Sequence, residues 1–358
     1  MDLTPPSPSI HPTLTELSES VLAWLPDADP DRIARASAGL SPEHQAAVEW
    51  LLWAHGVAPL LYSRLEADGG LGSIPPWLGD ALSRLYEQNR DHVGVLLREM
   101  QSVLVEAAER RIAVMPLKGA IVAHRTYDEP ALRPMGDIDL LVHGPDLGTV
   151  SGILARRGYR LSRSGPRHAR FMMHSHQAAA SACRGDPSAV FIELHVRVSE
   201  SKWLHGGDIT ELLWHGSYRG SLGGSPACLP GAVDLLHHLL LHCAASIPLS
   251  RVRALQFCDI CGVGSELNGE GWQELVSRAG AEGAQPTLYM PLALTHRWLG
   301  WQPPGGILEA LRAQVPTRMA RFLDQVPLTR LTPFRPLHAA RAGTALLGPR
   351  QWLALLRH

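Results

Sequence analysis

The sequence predicts an α+β protein in which a small mixed sheet is flanked by N-terminal and C-terminal helical regions. Three observations carry that prediction. Apolar residues recur at three- and four-residue spacing from Thr13 to about Glu87 and again after Pro230, which is the helical period. Between these regions, the runs Met135–Val142 and Ala189–Val198 alternate with the two-residue period of a strand. Turn-forming stretches, Arg133-Pro134-Met135-Gly136 and Arg184-Gly185-Asp186-Pro187-Ser188, lie beside those strands and give the core short connections.

Composition bounds the function before any motif is considered. The 358 residues are 45% hydrophobic and 19% charged, with a net charge of -1, so an ordinary globular protein with a sizeable core is expected. That balance argues against bulk nucleic-acid binding, which shows as a basic domain. Five cysteines without framework spacing argue against a disulfide-stapled secreted fold. Residues 1–12 are rich in Pro and Ser, with no apolar stretch of the kind a signal peptide needs. The run Val233–Ala245 is too short and too rich in histidine to span a bilayer. A cytoplasmic location is the resulting expectation.

Taken in order, residues 1–12 read as a flexible leader and residues 13–87 as a helical region with Trp24, Trp50, Leu51, Trp53, Leu60, Leu61 and Leu65 on its apolar faces. Pro75-Pro76 interrupts that region. The α/β core is expected over residues 88–200. It opens with a helical stripe of Val93, Leu96, Leu97, Met100, Val103, Leu104 and Ala107, followed by a short strand at Ile112–Met115. After the turn Leu117-Lys118-Gly119, a short helix is expected over Ala120–Tyr127, then the strand bearing Asp137 and Asp139, then a helix over Asp146–Arg157. Two further strands are expected at Arg170–Cys183 and Ala189–Val198, paired as an antiparallel hairpin. Residues 201–300 read as a helical region and 301–358 as a C-terminal helical extension. Their helices are placed at 232–245, 252–262, 272–279, 288–299 and 318–325.

The chemistry concentrates on the strands. Asp137 and Asp139 are two apart, so both carboxylates share one face while Ile138, Leu140 and Val142 fill the other. Two carboxylates held that close repel, and a divalent cation relieves the repulsion. In the second acidic strand, Glu193, His195 and Arg197 share a face opposite Val190, Ile192, Leu194, Val196 and Val198. If the two strands lie together, Glu193 makes a third carboxylate for Mg²⁺ or Mn²⁺, suited to displacement on a phosphate. Lys118-Gly119 stands where a strand turns into a helix, a place where backbone N–H groups and a lysine can seat a triphosphate. His195, Arg197 and Arg133 are further phosphate candidates. The arginine run Arg156, Arg157, Arg160, Arg163, Arg167 and Arg170 reads first as a solvated basic face and second as a steering patch. His238 and His242, four apart on a helix, lack a visible third ligand and read as core. Cys258-Asp259-Ile260-Cys261 has no second cysteine pair, so a zinc site is not expected, and nothing nearby supports a metal site at His174 and His176.

The segments Leu117-Lys118-Gly119, Leu132-Arg133-Pro134-Met135-Gly136-Asp137-Ile138-Asp139-Leu140-Leu141-Val142 and Glu193-Leu194-His195 resemble the uncharacterised nucleotidyltransferase family of the polymerase-β-like superfamily. Asp234-Leu235-Leu236, His242 and the segment Arg251–Asp259 are similar to the helical region of that family, so the resemblance spans about residues 45–300. It implies a nucleotidyltransferase core with Asp137, Asp139 and Glu193 as catalytic metal ligands. It also implies an NTP substrate seated near Lys118, Gly119, Gly136, Arg133, His195 and Arg197. The implied reaction moves a nucleoside monophosphate to an acceptor hydroxyl or phosphate on a peptide, sugar or small molecule. Its implied setting is modified-peptide, lasso-peptide or surface-polysaccharide biosynthesis. The residues leave two alternatives open: phosphoryl or glycosyl transfer at the same metal site, and a non-catalytic nucleotide-binding scaffold.

Overall fold

The computed structural model describes residue 6 and residues 13–174, 189–200 and 207–332. Its helices begin with α1 (Leu14–Ala23), α2 (Pro30–Ser37), α3 (Pro42–His55), α4 (Ala58–Ala67) and α5 (Pro76–Glu109). The α/β stretch follows as β1 (Val114–Pro116), α6 (Gly119–Thr126), β2 (Ile138–Val142), α7 (Leu147–Arg156), β3 (Arg160–Ser164), β4 (His168–His174) and β5 (Ala189–His195). After α8 (Thr210–His215), β6 (Tyr218–Leu222) and β7 (Ser225–Leu229), the chain continues as α9 (Ala232–Ser246), α10 (Ala254–Glu266), α11 (Gly269–Ala281), α12 (Gln285–Leu299), α13 (Ile307–Arg312) and α14 (Thr317–Gln325). This is the expected α+β class, a mixed sheet with helical regions before and after it.

The chain divides into two compact units. One comprises Glu87–Ser199 and Gly207–Leu235 and contains both sheets. Its five-stranded sheet has the order β1-β2-β5-β4-β3. β2 and β5 run parallel at the centre, and the other neighbours are antiparallel. A central parallel pair is covered on both faces, so its side chains are apolar nearly throughout. Ile138, Leu140, Leu141, Val142, Ile192 and Leu194 are all fully buried. The interruptions in that apolar run, Asp139 and Glu193, therefore stand out.

The second unit is helical and draws on residues before Glu87 and after Leu235. Its core includes Leu51, Leu52, Leu61, Leu65, Phe257, Trp272, Leu288 and Tyr289. Early and late helices are pinned by polar bonds: Arg253 Nε donates to the Ala54 carbonyl at 2.9 Å, and the Ala254 N–H donates to His55 Nδ1 at 3.2 Å. Among the described residues no helix is long and apolar enough to cross a membrane.

Four strands differ from the sequence expectation. The strand expected at Arg170–Cys183 runs over His168–His174, and residues 175–188 lie outside the described part. It also pairs with β3, which shows no alternating burial because all five of its residues are exposed. Within the region read as helical, Tyr218–Leu222 and Ser225–Leu229 form a hairpin. Its turn is Gly223-Gly224, with φ of 55° and 84°, a left-handed pair that glycine adopts freely and that matches strand twist.

Candidate active site

Register assembles the site. In the β2–β5 ladder Asp139 is opposite Glu193 and Leu141 is opposite His195. Parallel neighbours point matched residues to the same face, so the Asp139, Glu193 and His195 side chains converge on one side of the sheet. His195 Nε2 lies 2.6 Å from Asp139 Oδ1 and 3.8 Å from Glu193 Oε2. One ligand atom from each of Asp139, Glu193 and His195 lies within 4.8 Å of the others, the one His/Cys/Asp/Glu group of that kind among the described residues. Asp137 sits one residue before β2 begins. Burial, then the charges of Asp139 and Glu193, push its carboxyl up to about 6, while Lys118 and Arg170 pull the other way. A carboxyl raised by its neighbours marks an acid cluster short of positive charge, and the mixed oxygen and nitrogen donor set fits a divalent cation.

The turn before α6 completes one wall. Leu117 N–H donates to the Asp139 carbonyl at 2.9 Å, fixing the end of β1 against the acid strand. Lys118 then adopts φ 43° and ψ -117°, a region glycine occupies without cost and a lysine does not. This places Lys118 Nζ 3.7 Å from Asp139 Oδ2. Gly119 is tightly overlaid: a Cβ there would lie 2.5 Å from an Arg133 guanidinium nitrogen and 3.1 Å from Met135 side-chain atoms. Arg133 is thus buried beside the start of α6, where its Nη1 donates to the Pro134 carbonyl at 3.3 Å.

Other expected residues fall outside the cluster. A Cβ on Gly136 would meet open space, so close packing does not demand glycine there. Arg197 lies beyond the end of β5, and its guanidinium is held by Asp208, with Nε 2.6 Å from Oδ2. Arg156 pairs with Glu106 and Arg157 with Glu99 at 2.8 and 3.0 Å, so part of the arginine run is neutralised on α5. Glu200 Oε1 lies 3.4 Å from His238 Nε2 and 3.2 Å from His242 Nδ1, a carboxylate neighbour that the sequence did not suggest. Cys258 and Cys261 lie on α10 and are not joined in a disulfide, and His176 lies outside the described residues.

Two neighbours of the acids had no place in the sequence-based site. Arg170 is opposite Glu193 in the β4–β5 ladder, with Nε 3.4 Å from Oε1. His168 is opposite His195, with ring centroids 5.3 Å apart, and burial lowers its pKa. Only the hairpin register reveals them. The antiparallel pairing was legible in the sequence, but its register was not.

A family model described as an uncharacterised nucleotidyltransferase matches residues 41–300. No curated protein matches the chain. Among solved structures, the chain is similar at 13% identity to the solution structure of the antibiotic-resistance factor ANT(2'')-Ia, over 54% of this chain and 95% of that one. The TM-score is 0.37, too low for that likeness to carry any argument.

Proposed function

The chain belongs to the uncharacterised nucleotidyltransferase family, and on that premise we propose that it moves a nucleoside monophosphate from an NTP to an acceptor hydroxyl or phosphate. In this reading Asp137, Asp139 and Glu193 hold Mg²⁺ or Mn²⁺. The observation that supports it most is the convergence of Asp139, Glu193 and His195 on adjacent central strands, with Asp137 raised beside them.

A bound divalent cation screens the triphosphate and polarises the attacking and leaving oxygens. The protein's own residues position everything else. His195 holds Asp139 in one orientation through the 2.6 Å contact. Lys118 and the N–H groups opening α6 face the triphosphate, with Arg133 beside them. When the acceptor is a hydroxyl, its proton passes to a carboxylate of the cluster as the acceptor oxygen bonds to the α-phosphorus. The bond between the α-phosphorus and the β-bridging oxygen breaks, and pyrophosphate leaves.

The test is the fate of label from two nucleotides. With α-³²P-NTP the acceptor becomes labelled, and with γ-³²P-NTP the label leaves as pyrophosphate. Label reaching the acceptor from the γ position would make the enzyme a phosphoryl transferase instead.

A further inference from the structure

Arg170 stands against Glu193 in an unusual way. It projects from β4 directly across from that carboxylate, and its Nε lies 3.4 Å from Oε1. Nε is buried and has no hydrogen-bond partner among the described residues, so the ion pair is close but not a directed bond. The guanidinium carbon sits 4.3 Å from the centroid of the Phe191 ring. Cation–π packing of that kind holds a planar guanidinium in place independently of its carboxylate partner.

We propose that Arg170 is a triphosphate-binding residue that becomes available only when a divalent cation takes Glu193. This rests on the nucleotidyltransferase reading above and adds an order of events to it. Guanidinium and metal compete for the same carboxylate. Once the metal holds Glu193, two positive groups face each other in a partly buried site, and their repulsion favours an incoming polyanion. Phe191 keeps the guanidinium at the site through the exchange, where its fork suits phosphate oxygens. Neighbouring arginines are committed elsewhere: Arg156 and Arg157 to acids of α5, Arg167 to the Ser199 carbonyl and Arg197 to Asp208.

The proposal predicts opposite shifts from one substitution, measured on the full chain with Mn²⁺ alone and then with inorganic tripolyphosphate at saturating free Mn²⁺. Arg170→Ala removes a competitor for Glu193 and should bind Mn²⁺ several-fold more tightly. The same variant should bind tripolyphosphate about tenfold more weakly or worse, the usual size of a lost charge-assisted contact. Arg170→Gln keeps length and polarity and carries the same two expectations if the alanine variant does not fold. Affinities that stay unchanged, or that move in the same direction, would overturn the proposal while leaving the nucleotidyltransferase reading intact. A wild-type chain that binds neither probe would overturn both.

Discussion

Asp137 is where the chemistry of the site can be read from a single group. Burial and the neighbouring charges of Asp139 and Glu193 raise its pKa from 3.8 to about 6. A raised carboxyl contributes stability that is fully present below pH 3.8 and is lost as the pH rises through about 6. Mn²⁺ reverses the penalty by favouring the ionised form. Mn²⁺ should therefore raise the melting temperature more at pH 8 than at pH 5, and a shift of equal size at both would argue against Asp137 as a ligand. Asp137→Asn removes the repulsion and a ligand together. It should make the metal-free chain more stable than wild type at pH 8 and abolish NTP turnover, checked by melting curves beside the label assay. His195→Ala should weaken Mn²⁺ binding by roughly 10- to 100-fold, the usual effect of removing a group that orients or adds to a metal's ligands. Isothermal titration reads that change directly. At this scale the sequence exposed Asp137, Asp139, Glu193 and His195, because polar residues interrupting apolar strands are visible without a partner. Arg170 and His168 stayed hidden because their role depends on which residue faces them across the ladder.

Among the elements, the β1–α6 turn is the most demanding. Lys118 holds a backbone conformation that costs a non-glycine residue on the order of 1–3 kcal/mol. Lys118→Gly relieves it, so chemical denaturation should give a stability no lower than wild type by more than about 1 kcal/mol, allowing for glycine's greater unfolded-state freedom. NTP affinity should fall all the same, because the Nζ beside Asp139 is gone. A variant that loses stability yet keeps its NTP affinity would contradict this account of the turn. The strand–turn–helix order was legible from Leu117-Lys118-Gly119, but the left-handed lysine was not, since residue type gives no warning of it. The fully exposed β3 lacked an apolar period to read. The hairpin at Tyr218–Leu229 was obscured because one strand contains Gly220 and the other Pro226, both poor strand formers.

Acid acts most strongly on the helical unit, through two deeply buried histidines. In the helical unit, burial and then the Arg253 charge lower the His55 pKa from 6.5 to about 3. Burial, followed by Arg278 and His238, lowers that of His237 to about 4. A histidine kept neutral in the fold contributes stability that is present above pH 6.5 and is lost as the pH falls toward its folded value. Each such group costs about 1.4 kcal/mol per pH unit over that window. In the sheet-bearing unit Asp137 protonation offsets part of the corresponding loss at His124 and His168, whose pKa values burial also lowers. Hydrogen exchange normalised to intrinsic rates should show α3 and α9 losing protection between pH 6.5 and 4 before β2 and β5 do. Many helices of this unit were legible as periodic runs, whereas the bond between Ala254 and His55, far apart in sequence, could only come from the folded chain.

The central claim is that the carboxylates on β2 and β5 form a divalent-metal centre at which an NTP is bound. Electron paramagnetic resonance of Mn²⁺ titrated into the full chain tests it most directly, with Asp139→Asn and Glu193→Gln measured beside wild type. The account predicts one tightly bound Mn²⁺ in wild type whose spectrum changes when NTP is added, and loss of that bound ion in both variants. Equal Mn²⁺ binding in wild type and Asp139→Asn, with no response to NTP, would contradict it.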